Sequence, residues 1–232
     1  LLDLRRLDAA RGRNTAVFVS GYQGSPLAGL DQELMRNRKR LDPAGIVFTP
    51  GINEELAATA VWGSQTDLPA GTATHDGVTG VWYGKGPGVD RSGDALKHGN
   101  AYGSSPHGGV LVVAGDDHGC VSSSMPHQSD VAFMSWFMPT LHPADVGEYL
   151  AFGEYGYALS RFSGMWVGFK AISETVESGQ SVEVPAPSMI SFMLMPGRTA
   201  QRNWRSSARP GSQPEHRARP RCSWQCPPRK LA

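Results

Sequence analysis

Between Thr15 and Val184, short apolar runs alternate with helix-period stretches about every thirty residues, and few folds accommodate that rhythm. Strand and helix in alternation imply right-handed βαβ crossovers, and so a doubly wound, mostly parallel sheet with helices on both faces. The clearest strand is Gly109–Ala114, GVLVVA, continuous and apolar as in a sheet covered on both sides. Ala16–Val19, Ile46–Phe48, Val78–Tyr83 and Met165–Ile172 are the other strand candidates. Helices are expected over Leu27–Arg40, from Glu54 behind an Asn53 cap, over Arg91–Tyr102 and over Ala144–Ser160. In such sheets ligands sit beyond the carboxyl ends of the strands. The loops after Val19, Phe48, Tyr83 and Ala114 are therefore where chemistry is expected.

Charge divides the chain in two. Residues 1–196 hold 13 Lys and Arg against 20 Asp and Glu, whereas residues 197–232 hold 9 against the single acid Glu215. The first fourteen residues are charged, lack the apolar core of a secretory signal and start at Leu1, which reads as a lead-in from a truncated upstream segment. Residues 185–232 read as a linker and a basic tail. Past Pro196 there is no apolar period, and the sudden mixture of Arg, Pro, Ser, Cys and Trp reads as a frame-shifted end, with a nucleic-acid- or lipid-binding arm as the competing reading. Cys222 and Cys226 lack the further ligands a zinc site needs. Cys120 alone in the body argues against a disulfide framework and fits a reducing cytoplasm. No run of eighteen apolar residues occurs.

Four loops carry groups capable of chemistry. Gly21-Tyr22-Gln23-Gly24-Ser25-Pro26 is either a tight βα turn or a ligand loop, and its spacing fits neither a nucleophile elbow nor a dinucleotide fingerprint. Glu54 and Glu55 follow Asn53, either as solvated first-turn acids or with one carboxylate held in a cleft. Tyr83–Arg91 contains GKGPG, which resembles a phosphate loop without the Walker spacing. Asp116, Asp117, His118 and His127 could ligate a metal, or form a capped loop facing a ligand.

Taken together, VSGYQGSPLAGLDQEL, PGINEELAATAVWGSQ, DGVTGVWYGKGPGVDRSGDALKHGNAYG, HGGVLVVAGDDHG, LSRFSGMWVGFK and ETVES resemble the N-terminal part of the long, fused bacterial indolepyruvate:ferredoxin oxidoreductases. The resemblance spans about three quarters of the chain, residues 15–184. It implies the thiamine-pyrimidine-binding domain of a thiamine diphosphate-dependent 2-oxoacid:ferredoxin oxidoreductase, cytoplasmic and homo-oligomeric when complete. Such an enzyme oxidatively decarboxylates an aryl pyruvate to an acyl-CoA, with an iron–sulfur cluster, coenzyme A and ferredoxin as further participants. The magnesium-diphosphate signature is missing here: Gly115-Asp116-Asp117 departs from Gly-Asp-Gly, and no Asn falls between Asn100 and Asn203. The diphosphate-binding domain is therefore absent from this chain, and the fragment is expected to be inactive alone. The resemblance places the family's Asn-Glu pair on Asn53 and Glu54, with Glu54 as the catalytic carboxylate that shares a proton with the aminopyrimidine. It further implies that Gly21, Ser25 and Pro26 line the cofactor or substrate pocket and that Lys97 and His98 lie near the active site. Asp116 and Asp117 are placed beside it by their position at a strand end. A non-catalytic domain of the same fold, serving as subunit or docking surface, is the alternative from another class. A metal hydrolase built on Asp116, Asp117 and His118 is a third.

Overall fold

The structure is a computed structural model and describes residues 1–69 and 71–184. Its centre is a six-stranded parallel sheet in the order β2-β1-β3-β4-β6-β5. The strands are β1 (Thr15–Gly21), β2 (Ile46–Phe48), β3 (Gly77–Lys85), β4 (Val110–Asp116), β5 (Thr140–Leu141) and β6 (Val167–Ile172). The helices are α1 (Leu2–Ala10), α2 (Ala28–Arg36), α3 (Arg38–Leu41), α4 (Glu54–Ser64), α5 (Gly86–Arg91), α6 (Gly93–Tyr102), α7 (Ser129–Ser135), α8 (Val146–Ser163) and α9 (Ser173–Val176). This is the doubly wound α/β architecture that the alternation implied.

Side chains of a strand alternate between faces, so each central strand feeds two cores. Val17, Val19, Val81, Tyr83, Leu111 and Phe169 pack on one side with Leu27, just before α2, Leu34 of α2 and Tyr157 of α8. Trp82, Val110 and Val112 pack on the other with Ala57, Ala58 and Val61 of α4, Leu96 of α6 and Phe133 of α7. Burial on both faces is why β4 reads as an unbroken apolar run.

Several elements differ from the sequence reading. The single helix expected over Leu27–Arg40 is two, α2 and α3, separated at Asn37. The Asn37 side chain donates to the Glu33 carbonyl at 3.0 Å, the local bonding by which Asn competes with a continuing helix. GKGPG is not a loop. Strand β3 runs through Lys85, and Gly86-Pro87-Gly88 opens α5, with proline in the first turn, where its missing N–H has no partner to lose. Residues 1–14, read as a lead-in, contain α1, which is fastened to the body. Asp8 is fully buried and takes both terminal nitrogens of Arg161 at 2.8 and 2.7 Å. The readings made for residues 185–232 lie outside the described residues. Among those described, no helix is long and apolar enough to cross a membrane.

The chain leaves β1 toward β2 on one side and leaves β3 toward β4 on the other. The carboxyl ends of β1 and β3 thus flank the topological switch point, where a crevice opens in folds of this class.

Candidate functional site

Strand β1 leaves the sheet through a tightly held exit. The Tyr22 amide donates to the Tyr83 carbonyl at 3.0 Å, and the Gly51 amide donates to the Gly21 carbonyl at 2.9 Å. Gly21 lies flat against Tyr83, with no room for a Cβ between them. Farther along, Gly24 carries the stem of Lys85 across its bare Cα, and a Cβ there would lie 2.9 Å from Lys85 Cδ. The Ser25-Pro26 peptide bond is cis. Ser25 is half-buried and Pro26 buried, and Pro26 passes with Leu27 under Gly115 of β4. The loop after β1 therefore meets the carboxyl ends of β3 and β4 beside the switch point.

Burial, with the carboxylate of Asp31 in its field, pushes the Tyr83 phenol far above its usual range, so it remains a neutral donor. Its hydroxyl is buried and has no hydrogen-bond partner among the described residues.

The second component enters from the opposite face. Asn53 caps α4, its side-chain oxygen accepting from the Leu56 amide at 2.9 Å. Trp82 Nε1 donates to the Glu54 carbonyl at 2.9 Å, tying the first turn of α4 to the centre of the sheet. Adjacent helix residues differ by about 100° around the axis, and the two acids separate accordingly. Glu55 is exposed, whereas Glu54 is half-buried and lies over Gly88 at the start of α5. A Cβ at Gly88 would lie 2.6 Å from Glu54 Cγ and 3.0 Å from Oε1, so the glycine is what lets this carboxylate sit there. Gly21, Ser25, Asn53 and Glu54, with Lys85 and Gly88, thus frame one end of the sheet.

Lys97 and His98 are not brought to this place. Both are exposed on α6, and the His98 ring stacks on Trp62 with centroids 5.8 Å apart. Trp62 follows Glu54 by eight residues on α4, about 12 Å of helix rise. His98 Nδ1 meets the Asp94 carbonyl at 2.9 Å and its carboxylate at 3.2 Å, which accounts for its position without a ligand.

Asp116 and Asp117 each have a structural task. Asp116 is fully buried and accepts from the Ser129 amide at 2.9 Å and the Ser129 hydroxyl at 2.5 Å, capping α7. Lys170 Nζ is 3.7 Å from Asp116 and 2.8 Å from Asp130. That hydrogen bond holds the Asp130 carboxyl below its usual range. Asp117 accepts from the amides of Ser122 at 2.6 Å and Val121 at 3.0 Å, and these bonds hold its carboxyl below the usual range. Lys85 Nζ closes the same loop by donating to the Ser122 carbonyl at 3.0 Å. His127 meets Asp90 at 3.1 Å. Among the described residues no three Asp, Glu, His or Cys side chains converge as a metal site would require.

Lys85 and Gly88 were noticed only as parts of the GKGPG segment, without a role of their own, and Lys170 was not singled out by sequence reasoning. Lys170 left a signal, a lone cation in the apolar run MWVGFKAI, since a charge in a buried strand needs a partner. Gly88 left none separable from a turn. No protein-family model matches the chain, and no curated protein matches it.

Proposed function

We propose that this domain supplies the pyrimidine-binding half of a thiamine diphosphate site in a 2-oxoacid:ferredoxin oxidoreductase acting on an aryl pyruvate such as indolepyruvate. The observation that carries the reading is the placement of Glu54: a half-buried carboxylate at the head of α4, seated over the bare Cα of Gly88 beside the switch point. The donor set fits a nitrogen heterocycle, because the carboxyl group can hold a proton at one oxygen and share it with a ring nitrogen. When bound, thiamine diphosphate supplies the carbon nucleophile and the electron sink for decarboxylation.

The chain's own residues then have distinct tasks. Asn53 and Trp82 fix the turn that carries Glu54, so its carboxyl group is positioned before any ligand arrives. Gly21 keeps the β1 exit thin, and Gly24, Ser25 and Pro26 carry the chain on past Lys85 and Gly115. The magnesium ion and the diphosphate belong to a partner domain, as do the iron–sulfur cluster, coenzyme A and the docking of ferredoxin.

Calorimetric titration of the chain with thiamine diphosphate and magnesium is expected to give no binding tighter than millimolar, and submicromolar binding refutes the half-site reading. With a diphosphate-binding domain joined to the chain, Glu54→Gln is expected to lower turnover by roughly 10²–10⁴-fold. Undiminished turnover removes Glu54 from catalysis and favours the second reading, a non-catalytic docking domain. The exposed apolar side chains Val131, Met134 and Phe137 on and beside α7 are the observation that favours that alternative.

A further inference from the structure

The amino end of the sheet carries a feature that a carboxyl-end site does not use. Helix α1, Arg40 of α3 and the segment joining α3 to β2 line an open, solvent-facing cavity of about 400 Å³. Three guanidinium groups line it, those of Arg5, Arg6 and Arg40, and Leu2, Pro43 and Ala44 supply an apolar wall. Arg5 is held rigidly. Its Nε donates to the Ala44 carbonyl at 2.9 Å and a terminal nitrogen donates to the Thr15 hydroxyl at 2.9 Å. Thr15 in turn donates to buried Asp8 at 2.8 Å, so its oxygen is left to accept from Arg5. A guanidinium has five N–H donors, and these two bonds leave Arg5 with more to offer.

The charge in the cavity is largely uncompensated. Asp3 pairs with Arg6 at 2.8 Å, but Glu33 and Asp42 are occupied by Arg36 and Arg38, which do not line the cavity. Arg40 makes no side-chain hydrogen bond or ion pair among the described residues. Arg5 is bonded only to neutral oxygens. A concave surface with two uncompensated guanidinium groups and an apolar wall favours a small ligand with a compact multi-oxygen anion on an apolar body.

We propose that this cavity binds the phosphate or diphosphate group of a soluble organic phosphate, with Arg5 and Arg40 on its oxygens and the organic body against Leu2 and Pro43. The seven residues of β1 separate Thr15, at this end, from Gly21 at the other, roughly 20 Å. The assignment is thus independent of the Glu54 site.

The test is calorimetric titration of the full chain with inorganic pyrophosphate and with ADP, at low and at physiological salt. Saturable binding of both is expected, with ADP the tighter because its base and sugar meet the apolar wall. Arg40→Gln removes a guanidinium that holds nothing else in place, and Ala9→Glu sets a carboxylate on the cavity lining. Each is expected to weaken binding about tenfold or more, the scale of one charge-assisted hydrogen bond. Lys39→Gln, one residue away but outside the cavity, is expected to change it less than about threefold. Equal losses in Lys39→Gln and Arg40→Gln would show a diffuse basic surface and overturn the proposal. So would absence of saturation with either ligand, or sedimentation with phosphatidic acid vesicles in a chain that does not bind ADP.

Discussion

Replacing Asp8 by alanine tests whether α1 belongs to the fold or merely precedes it. Asp8 is fully buried, and the Arg161 side chain facing it is 13% exposed. The carboxylate accepts two charge-assisted hydrogen bonds from Arg161 and a third from Thr15. Removing one partner of a buried pair costs about 3–5 kcal/mol, because the remaining charge stays desolvated. Arg161 keeps its bond to the Gly108 carbonyl at 2.7 Å and retains a little solvent contact, which places the cost near the lower end, about 3 kcal/mol. For a domain of this size that is a fall of roughly 6–12 °C in melting temperature. Urea unfolding followed by circular dichroism should show the midpoint fall with the slope unchanged. Pairing Asp8→Ala with Arg161→Met should cost less than the two single changes added together, since the stranded charge is gone. A loss below about 1 kcal/mol would refute the argument and leave α1 an appendage. The pH dependence has a fixed sign. Burial raises the Asp8 pKa, but the bonds from Arg161 and Thr15 outweigh it, so the folded-state value lies below the ordinary one. The stabilisation is therefore complete above the unfolded carboxylate pKa, about 3.9, and is lost as pH falls through the folded-state value. Asp8→Asn should remove that portion of the acid transition.

Three further substitutions probe the site and its support. Lys170→Met leaves the carboxylate of Asp116 buried without its cation and should cost about 3 kcal/mol, read as a urea midpoint shift. Asn53→Ala removes the cap of α4 and should cost about 1 kcal/mol, and an unchanged midpoint would show that the cap bond does not hold the helix start. Gly88→Ala should leave stability within about 1 kcal/mol, since the half-buried Glu54 side chain can swing aside, yet lower turnover on the order of 10²-fold once a diphosphate-binding domain is joined. Turnover unchanged in that variant would mean that the seat over Gly88 does not matter.

The fold was legible because its signal is periodic. Strands β2, β4 and β6 fall where continuous apolar runs lie, and Asn53 caps a helix as its side chain allows. What escaped was short or depended on distant partners. Strand β5 has two residues and α7 has seven, too few for a period to register. The Gly86-Pro87-Gly88 segment carries every mark of a loop and is the start of a helix. Asp116 and Asp117 looked alike in sequence. Only the positions of Ser129, Lys170, Val121 and Ser122 reveal that both are engaged in holding loops.

The same distinction explains how the candidate site is arranged. In sequence, Gly21 and Gly88 are glycines of candidate ligand loops, and nothing shows which neighbour each must admit. In the structure each gives up its Cβ position to another part of the chain, Gly21 to the carbonyl and ring of Tyr83 and Gly88 to the Glu54 side chain. At such a glycine the obstacle to alanine is a neighbour and not backbone strain: at Gly21 it is the carbonyl and ring of Tyr83, and at Gly88 it is the Glu54 side chain, which must leave its seat. Carboxylates that support a loop are surrounded by amides and hydroxyls, as Asp116 and Asp117 are, and their hydrogen-bonding capacity is largely taken up internally. Glu54 accepts no side-chain hydrogen bond among the described residues and is seated over Gly88 at the carboxyl end of the sheet. That difference in surroundings separates it from Asp116 and Asp117, whose oxygens are taken up by the loops they hold.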